Sequence, residues 1–272
     1  MRHPPPHSAA RWLLACCCAL LCGAALALPT LGYSVVARYP HTDTPFTQGF
    51  ELRGDTLYES SGLYGKSYIG KWQLPPQAAT PWRNAGRQAL PGTVFGEGLT
   101  RFRDRLYVLT WREQRGFIFD ADTLQQTGEF SFDGEGWGLT HNAERLIMSD
   151  GSEQLRFLDP ATLHVDRTVA VHDGERPLTQ LNELEWIDTG PLAHAPRILA
   201  NVWQTDLIVA IDPDSGAATA YIDLAKLYPK GQRSPRSDVL NGIALDARDG
   251  TLLITGKQWP FIYRLRLESP LP

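Results

Sequence analysis

From residue 47 onward the chain alternates short apolar runs with polar turns, and no stretch keeps a helical period. The runs Thr56–Tyr58, Arg105–Leu109, Arg145–Met148, Arg197–Ala200 and Thr251–Ile254 are rich in Leu, Ile, Val and Tyr. Such runs between turn residues predict short strands. After a polar loop, second runs follow at Gly116–Asp120, Leu155–Asp159, Leu207–Asp212 and Phe261–Leu267. Three of these end in matched turns, Asp120-Ala121-Asp122-Thr123, Asp159-Pro160-Ala161-Thr162 and Asp212-Pro213-Asp214-Ser215. An Asp at the strand end accepts from the turn amides, and Pro presets φ for the turn.

A four-residue phrase opens each unit: Thr47-Gln48-Gly49-Phe50, Gly96-Glu97-Gly98-Leu99, Gly136-Trp137-Gly138-Leu139, Leu181-Asn182-Glu183-Leu184 and Leu240-Asn241-Gly242-Ile243. Its third column is Gly in four copies, its fourth is always large and apolar, and its second never settles. The second-column residues are 49, 40, 45 and 59 positions apart. Units of roughly 40 to 50 residues with four short strands are propeller blades. The pattern therefore predicts an all-β, five-bladed β-propeller over residues 28–272. The unpaired run Tyr33–Tyr39 is predicted to supply the fourth strand of the last blade, beside Phe261–Leu267, and so close the ring. Asp223–Tyr228 suggests a helical turn or two, and Gly231–Ser237 a solvated basic loop.

In a propeller the innermost strand of each blade runs along the central channel, so its start lies at one mouth. Gln48, Glu97, Trp137, Asn182 and Asn241 are expected to ring that mouth. A second set, Ser61, Trp111, Asp150, Trp203 and Lys257, follows the next strand of each unit, which returns to the same mouth. His41, His141, His164, His172 and His194 lack metal-ligand spacing and are expected in solvated loops.

Composition narrows the partners. Arg2 and Arg11 precede and enter the apolar run Trp12–Leu26, and Ala25-Leu26-Ala27 fits a small-x-small cleavage site, which predicts a signal peptide over 1–27. The run is too short for comfortable, stable membrane insertion. Leu13-Leu14-Ala15-Cys16 is loosely like a lipoprotein signal, but too little apolar chain precedes Cys16. Export to the periplasm or the exterior is the expectation. All four cysteines fall in the leader, so disulfides and thiol chemistry drop out of the mature domain. Removing Arg2 and Arg11 leaves 24 basic against 30 acidic residues, a net charge near −6 that argues against a nucleic-acid partner. Nothing marks an oligomer interface, and a monomer is expected.

Nine motifs in register, spread over nearly all of the mature chain, resemble the plant-type glutaminyl cyclases. They begin with Tyr39-Pro40-His41 to Phe46-Thr47-Gln48-Gly49, Glu59-Ser60-Ser61-Gly62-Leu63-Tyr64-Gly65, Phe95-Gly96-Glu97-Gly98-Leu99-Thr100, Leu109-Thr110-Trp111 and Glu135-Gly136-Trp137-Gly138-Leu139. Leu181-Asn182-Glu183-Leu184-Glu185, Ala200-Asn201-Val202-Trp203, Leu240-Asn241-Gly242-Ile243-Ala244 and Thr255-Gly256-Lys257-Gln258-Trp259-Pro260 complete them. The resemblance implies cyclisation of N-terminal glutaminyl residues of peptides or proteins to pyroglutamyl, with release of ammonia and with neither a cofactor nor a metal. Glu97 is expected to shuttle the proton, with Lys257 and Asn182 as further catalytic groups. Gln48, Trp111, Trp137, Glu183, Trp203 and Asn241 are expected to bind the substrate. Two rivals stand beside this reading. A calcium-dependent propeller lactonase would need several carboxylates at the mouth, and a non-catalytic secreted propeller would bind peptides or glycans through its indoles.

Overall fold

The computed structural model describes Met1 and residues 27–272, so the leader expected at 1–27 lies outside the described residues except at its two ends, and the cysteines lie outside altogether. The strand β1 (Tyr33–Pro40) comes first. β2 (Thr47–Arg53), β3 (Thr56–Ser61), β4 (Tyr68–Gln73) and β5 (Arg83–Ala89) form blade I. β6 (Gly96–Phe102), β7 (Arg105–Thr110), β8 (Arg115–Asp120) and β9 (Gln126–Ser131) form blade II. β10 (Leu139–His141), β11 (Leu146–Met148), β12 (Gln154–Leu158) and β13 (Val165–Ala170) form blade III. A two-stranded ribbon, β14 (His172–Asp173) with β15 (Arg176–Pro177), leads on to blade IV. That blade is β16 (Leu181–Ile187), β17 (Arg197–Val202), β18 (Leu207–Ile211) and β19 (Ala218–Asp223). Blade V takes β20 (Leu240–Asp246), β21 (Thr251–Gly256) and β22 (Phe261–Leu267), with β1 as its outer strand. β1 runs antiparallel to β22, Tyr33 opposite Leu267 and Pro40 opposite Phe261. This is the five-bladed propeller and the ring closure that the repeat predicts.

Burial explains the strand patterns. Innermost β2, β6, β16 and β20 are buried at nearly every position, whereas outer β5 and β13 are mostly exposed and polar. The apolar interior falls into five clusters, one at each seam between neighbouring blades. Tyr58 and Ile69 of blade I meet Leu106 and Phe117 of blade II, and Phe102 and Leu109 meet Leu146 and Met148. Phe157 of blade III packs against Leu184 and Val209 of blade IV, which in turn lays Leu199 and Ile208 on Ile243 and Ile254. Phe50, Leu57 and Trp72 return to Leu253 and Ile262, sealing the ring. Two apolar faces per blade are thus removed from water, the main favourable contribution to the fold. Among the described residues no helix is long and apolar enough to cross a membrane.

Several local expectations change. Asp223–Tyr228 is a turn, not a helix: Asp223 Oδ1 accepts from the Ala225 amide at 2.9 Å and Leu224 O from Leu227 N. A single 3-10 turn, Lys230–Gln232, follows Pro229. Within the loop after it Arg233 is not solvated, because its guanidinium pairs with Asp206 at 2.5 Å and lies 4.9 Å from the Trp259 ring. The remaining loop residues are mostly exposed. His41 is a second correction to solvation. It is 6% exposed and shares hydrogen bonds with Glu59 at 3.1 Å and Thr255 at 3.1 Å, tying blade I to blade V.

Candidate active site

The repeated phrase is where the innermost ladders break. Register shifts fall between Thr47 and Gly49, Gly96 and Leu99, Leu181 and Leu184, and Leu240 and Ile243. In blade III the phrase lies just outside the ladder, with Trp137 N donating to Ser149 O at 3.0 Å. A bulge leaves one residue unpaired and re-aims its side chain, which turns Gln48, Glu97 and Asn182 of the second column toward the cavity. The third-column glycines fit the bulges together around the ring. A Cβ on Gly49 would stand 2.3 Å from Leu99 N, and one on Gly138 would stand 1.9 Å from Asn182 O.

At this mouth lies a cavity of about 260 Å³ lined by Gln48, Glu97, Trp111, Trp137, Asn182, Trp203 and Lys257, together with Phe46, Phe95 and Asp238. Seven of the expected residues are therefore brought together. Ser61 and Asp150 are not: the Ser61 hydroxyl accepts from Phe46 N at 3.1 Å, and Asp150 turns back to Ser152 and to Arg156 at 3.1 Å. Asn241 and Glu183, expected as binding residues, also stand behind the wall. Asn241 Nδ2 donates to Thr47 O at 3.0 Å and to Gln48 Oε1 at 3.4 Å. Glu183 takes the column that is glycine elsewhere, and its Oε2 accepts from Ile243 N in the next blade at 2.8 Å. Its side chain fills the seam and not the cavity.

Glu97 is the buried centre of the site, 5% exposed, and its Oε1 accepts from Gln48 Nε2 at 2.8 Å. Asn241, holding Gln48 Oε1, leaves the Gln48 amide nitrogen turned to Glu97. Burial pushes the Glu97 carboxyl well above the usual carboxylate range; Lys257 opposes this, and Glu135 and Glu113 add to it. Lys257 is also buried, which holds its ammonium below the usual lysine range against the attraction of Glu97 and Asp238. Its backbone extends the blade V ladder, N to Val239 O at 2.9 Å and O from Asp238 N at 2.8 Å, and its Nζ lies 5.1 Å from the Phe46 ring centre. Asn182 Oδ1 is buried and has no hydrogen-bond partner among the described residues.

Glu135, without a role in the sequence reading, braces the wall. Its Oε2 accepts from the indole N–H of Trp111 at 2.7 Å and of Trp137 at 2.9 Å, while Oε1 accepts from Arg112 at 3.0 Å. Burial pushes its carboxyl up, but the hydrogen bonds from Trp137, Trp111 and Arg112 outweigh that and hold it below the usual range. The rings pack edge to face, Trp137 on Trp203 at 5.4 Å and Phe95 on Trp111 at 5.6 Å. Phe46, Phe95 and Glu135 share one signal in the sequence: each immediately precedes the repeated phrase. Asp238 has no such mark. Among the described residues no three or more His, Cys, Asp or Glu are grouped to hold a metal ion.

A propeller whose channel mouth narrows to an indole-walled cavity, with a carboxylate and an ammonium buried in it, is built for chemistry on one small polar group. The family model for glutamine cyclotransferase matches residues 9–267, and the chain belongs to that family. It is 38% identical over 246 residues to the glutaminyl-peptide cyclotransferase of Arabidopsis thaliana, covering 86% of this chain and 71% of that protein. The crystal structure of Myxococcus xanthus glutaminyl cyclase superposes with a TM-score of 0.75 at 30% identity, over 89% of this chain and 98% of that one.

Proposed function

We propose that the chain converts the N-terminal glutaminyl residue of a peptide or protein to pyroglutamyl, releasing ammonia, with Glu97 moving the proton. The observation that carries this reading is one buried carboxylate, held by Gln48, in a cavity about large enough for a single side chain. Membership of the glutamine cyclotransferase family and likeness to the Arabidopsis and Myxococcus cyclases support it.

The α-amine nitrogen attacks the γ-carboxamide carbon of its own side chain. A C–N bond forms, the carbonyl electron pair moves to oxygen, and the amine proton passes to Glu97. Glu97 returns that proton to the carboxamide nitrogen, the old C–N bond breaks, and ammonia departs. No further reactant is consumed. With Oε1 engaged by Gln48, Oε2 is the oxygen left to exchange protons. The raised pKa of Glu97 suits a group that must both accept and give a proton near neutrality. Lys257 and Asn182 face the carboxamide, Lys257 stabilising the charge that develops on its oxygen. The indoles curl the side chain and exclude water; orientation of this kind is worth roughly 7–11 kcal/mol in favourable cases. We place the enzyme outside the cytoplasm on the strength of the leader-like segment 1–27.

Incubation of the purified protein with a Gln-initiated peptide should remove the mass of one ammonia, with or without a chelator. Absence of ammonia release from every such peptide refutes the reading, and loss of activity on chelation moves the chemistry to a metal. Glu97→Gln preserves size and should lower turnover at least about a hundredfold in a folded protein.

A further inference from the structure

Beside the catalytic cavity, on the blade I side of the same mouth, lies a second and more open groove of about 410 Å³. Phe46 belongs to both walls, and Gln258, the residue after Lys257, lines the groove and donates its amide to Pro45 O at 2.7 Å. The Phe46 side chain is thus common to the cavity and the groove. Resting on the proposed reaction, we infer that this groove receives the residues following the N-terminal glutaminyl residue, and that it favours acidic side chains among them.

Contiguity comes first. A substrate whose first side chain occupies the cavity must carry its chain away across the mouth, and three extended residues reach about 10 Å. Gly62, Leu63 and Gly65–Ser67 of the loop between β3 and β4 line the groove there.

Charge comes second. The chain is net acidic, yet Lys66 and Arg87 face the groove against one carboxylate, Asp43. The Arg87–Asp43 contact is long, 3.5 Å, between half-exposed side chains, and pairs of that kind contribute little. The guanidinium is thus available to a peptide carboxylate, with Asp43 as a weak competitor.

A third observation fixes where that charge sits. Tyr68 lines the groove at 8% exposure, with the Arg87 guanidinium 3.5 Å above its ring. Its hydroxyl is buried, with Glu59, Arg87 and Ser61 as its polar neighbours. The contact with the ring holds the Arg87 guanidinium at the groove wall, a position from which it can pair with a peptide carboxylate.

The test uses two Gln-initiated pentapeptides, one with Glu and one with Lys at positions three and four, and glutamine amide as a substrate too short to enter the groove. For the wild type, kcat/KM should favour the Glu peptide by about fivefold at low ionic strength, and the gap should close in salt. Lys66→Glu with Arg87→Glu should reverse the preference and leave glutamine amide unchanged. Equal kcat/KM for the two peptides, or a preference that survives the charge reversal, overturns the inference. Failure to cyclise glutamine amide and both peptides sinks the proposed reaction instead. Fluorescence anisotropy of the same labelled peptides on Glu97→Gln then decides the groove alone: tighter binding of the Glu peptide sustains it, and equal binding overturns it.

Discussion

One carboxylate oxygen of Glu135 accepts from two indoles that belong to different blades. Its charge also stands among those that raise Glu97. In Glu135→Gln that charge is gone, and Glu97 becomes the stronger acid. The base form of Glu97 then persists to lower pH, so the acid limb of kcat/KM should move down. Tryptophan emission should change as well, because the amide nitrogen that replaces Oε1 cannot accept from Arg112 and the brace beside the two indoles loosens. An unmoved acid limb, measured with a Gln-initiated peptide, counts against the electrostatic part. This residue was readable only as a neighbour of the phrase, because its partners come together in space and not in sequence. Glu97, Gln48 and Asn182 were readable from their shared column. Asn241 and Glu183 share the phrase too, yet turn to the seam, since a column records backbone station and says little about where a long side chain finds its partner.

At the scale of the element, the repeat marks a bulge and not merely a strand start. Strand counts, the Asp-led turns and the pairing of β1 with β22 all followed from period-two runs and turn residues. Asp120, Asp159 and Asp212 each accept from the amides two and three residues on. The bulges were invisible, because an irregular ladder leaves the apolar pattern intact. Glycine in the third column was the trace they left. Gly138→Ala puts a methyl group against Asn182 O, which is backbone and cannot swing aside. Blade III must then move off blade IV, at a cost of about 1–3 kcal/mol for overpacking. A lower urea midpoint should accompany weaker turnover, since Asn182 shifts with its backbone; an unchanged midpoint would mean that the seam yields freely.

For the whole molecule, the channel carries a line of carboxylates beneath the site. Glu183 and Glu185 take backbone amides of blade V, Ile243 N and Leu245 N at 2.7 Å, while Glu51 takes Arg101 N at 2.9 Å. Burial, and then Glu51, raise Glu185 from 4.5 to about 8. Between those values the folded protein holds a proton that the unfolded chain has released, so stability falls as pH rises through this window. Glu185→Gln keeps the acceptor for Leu245 and removes the charge. It should melt at least about 2–4 °C above the wild type at pH 8 and level with it near pH 4.5; equal melting at both refutes the shift.

The pairing of β1 with β22 also imposes an order in time. The ribosome delivers Tyr33–Pro40 among the earliest residues of the propeller and Phe261–Leu267 nearly last. Until both have emerged, blade V lacks its outer strand and the seam of Phe50 and Leu57 with Leu253 and Ile262 has only one side. A contact between strands this far apart in sequence is slow to form. Blades I to IV hold all their own strands by then, yet the ring stays open until β22 is made, and a chain interrupted before β22 has no closed ring in which to assemble its mouth.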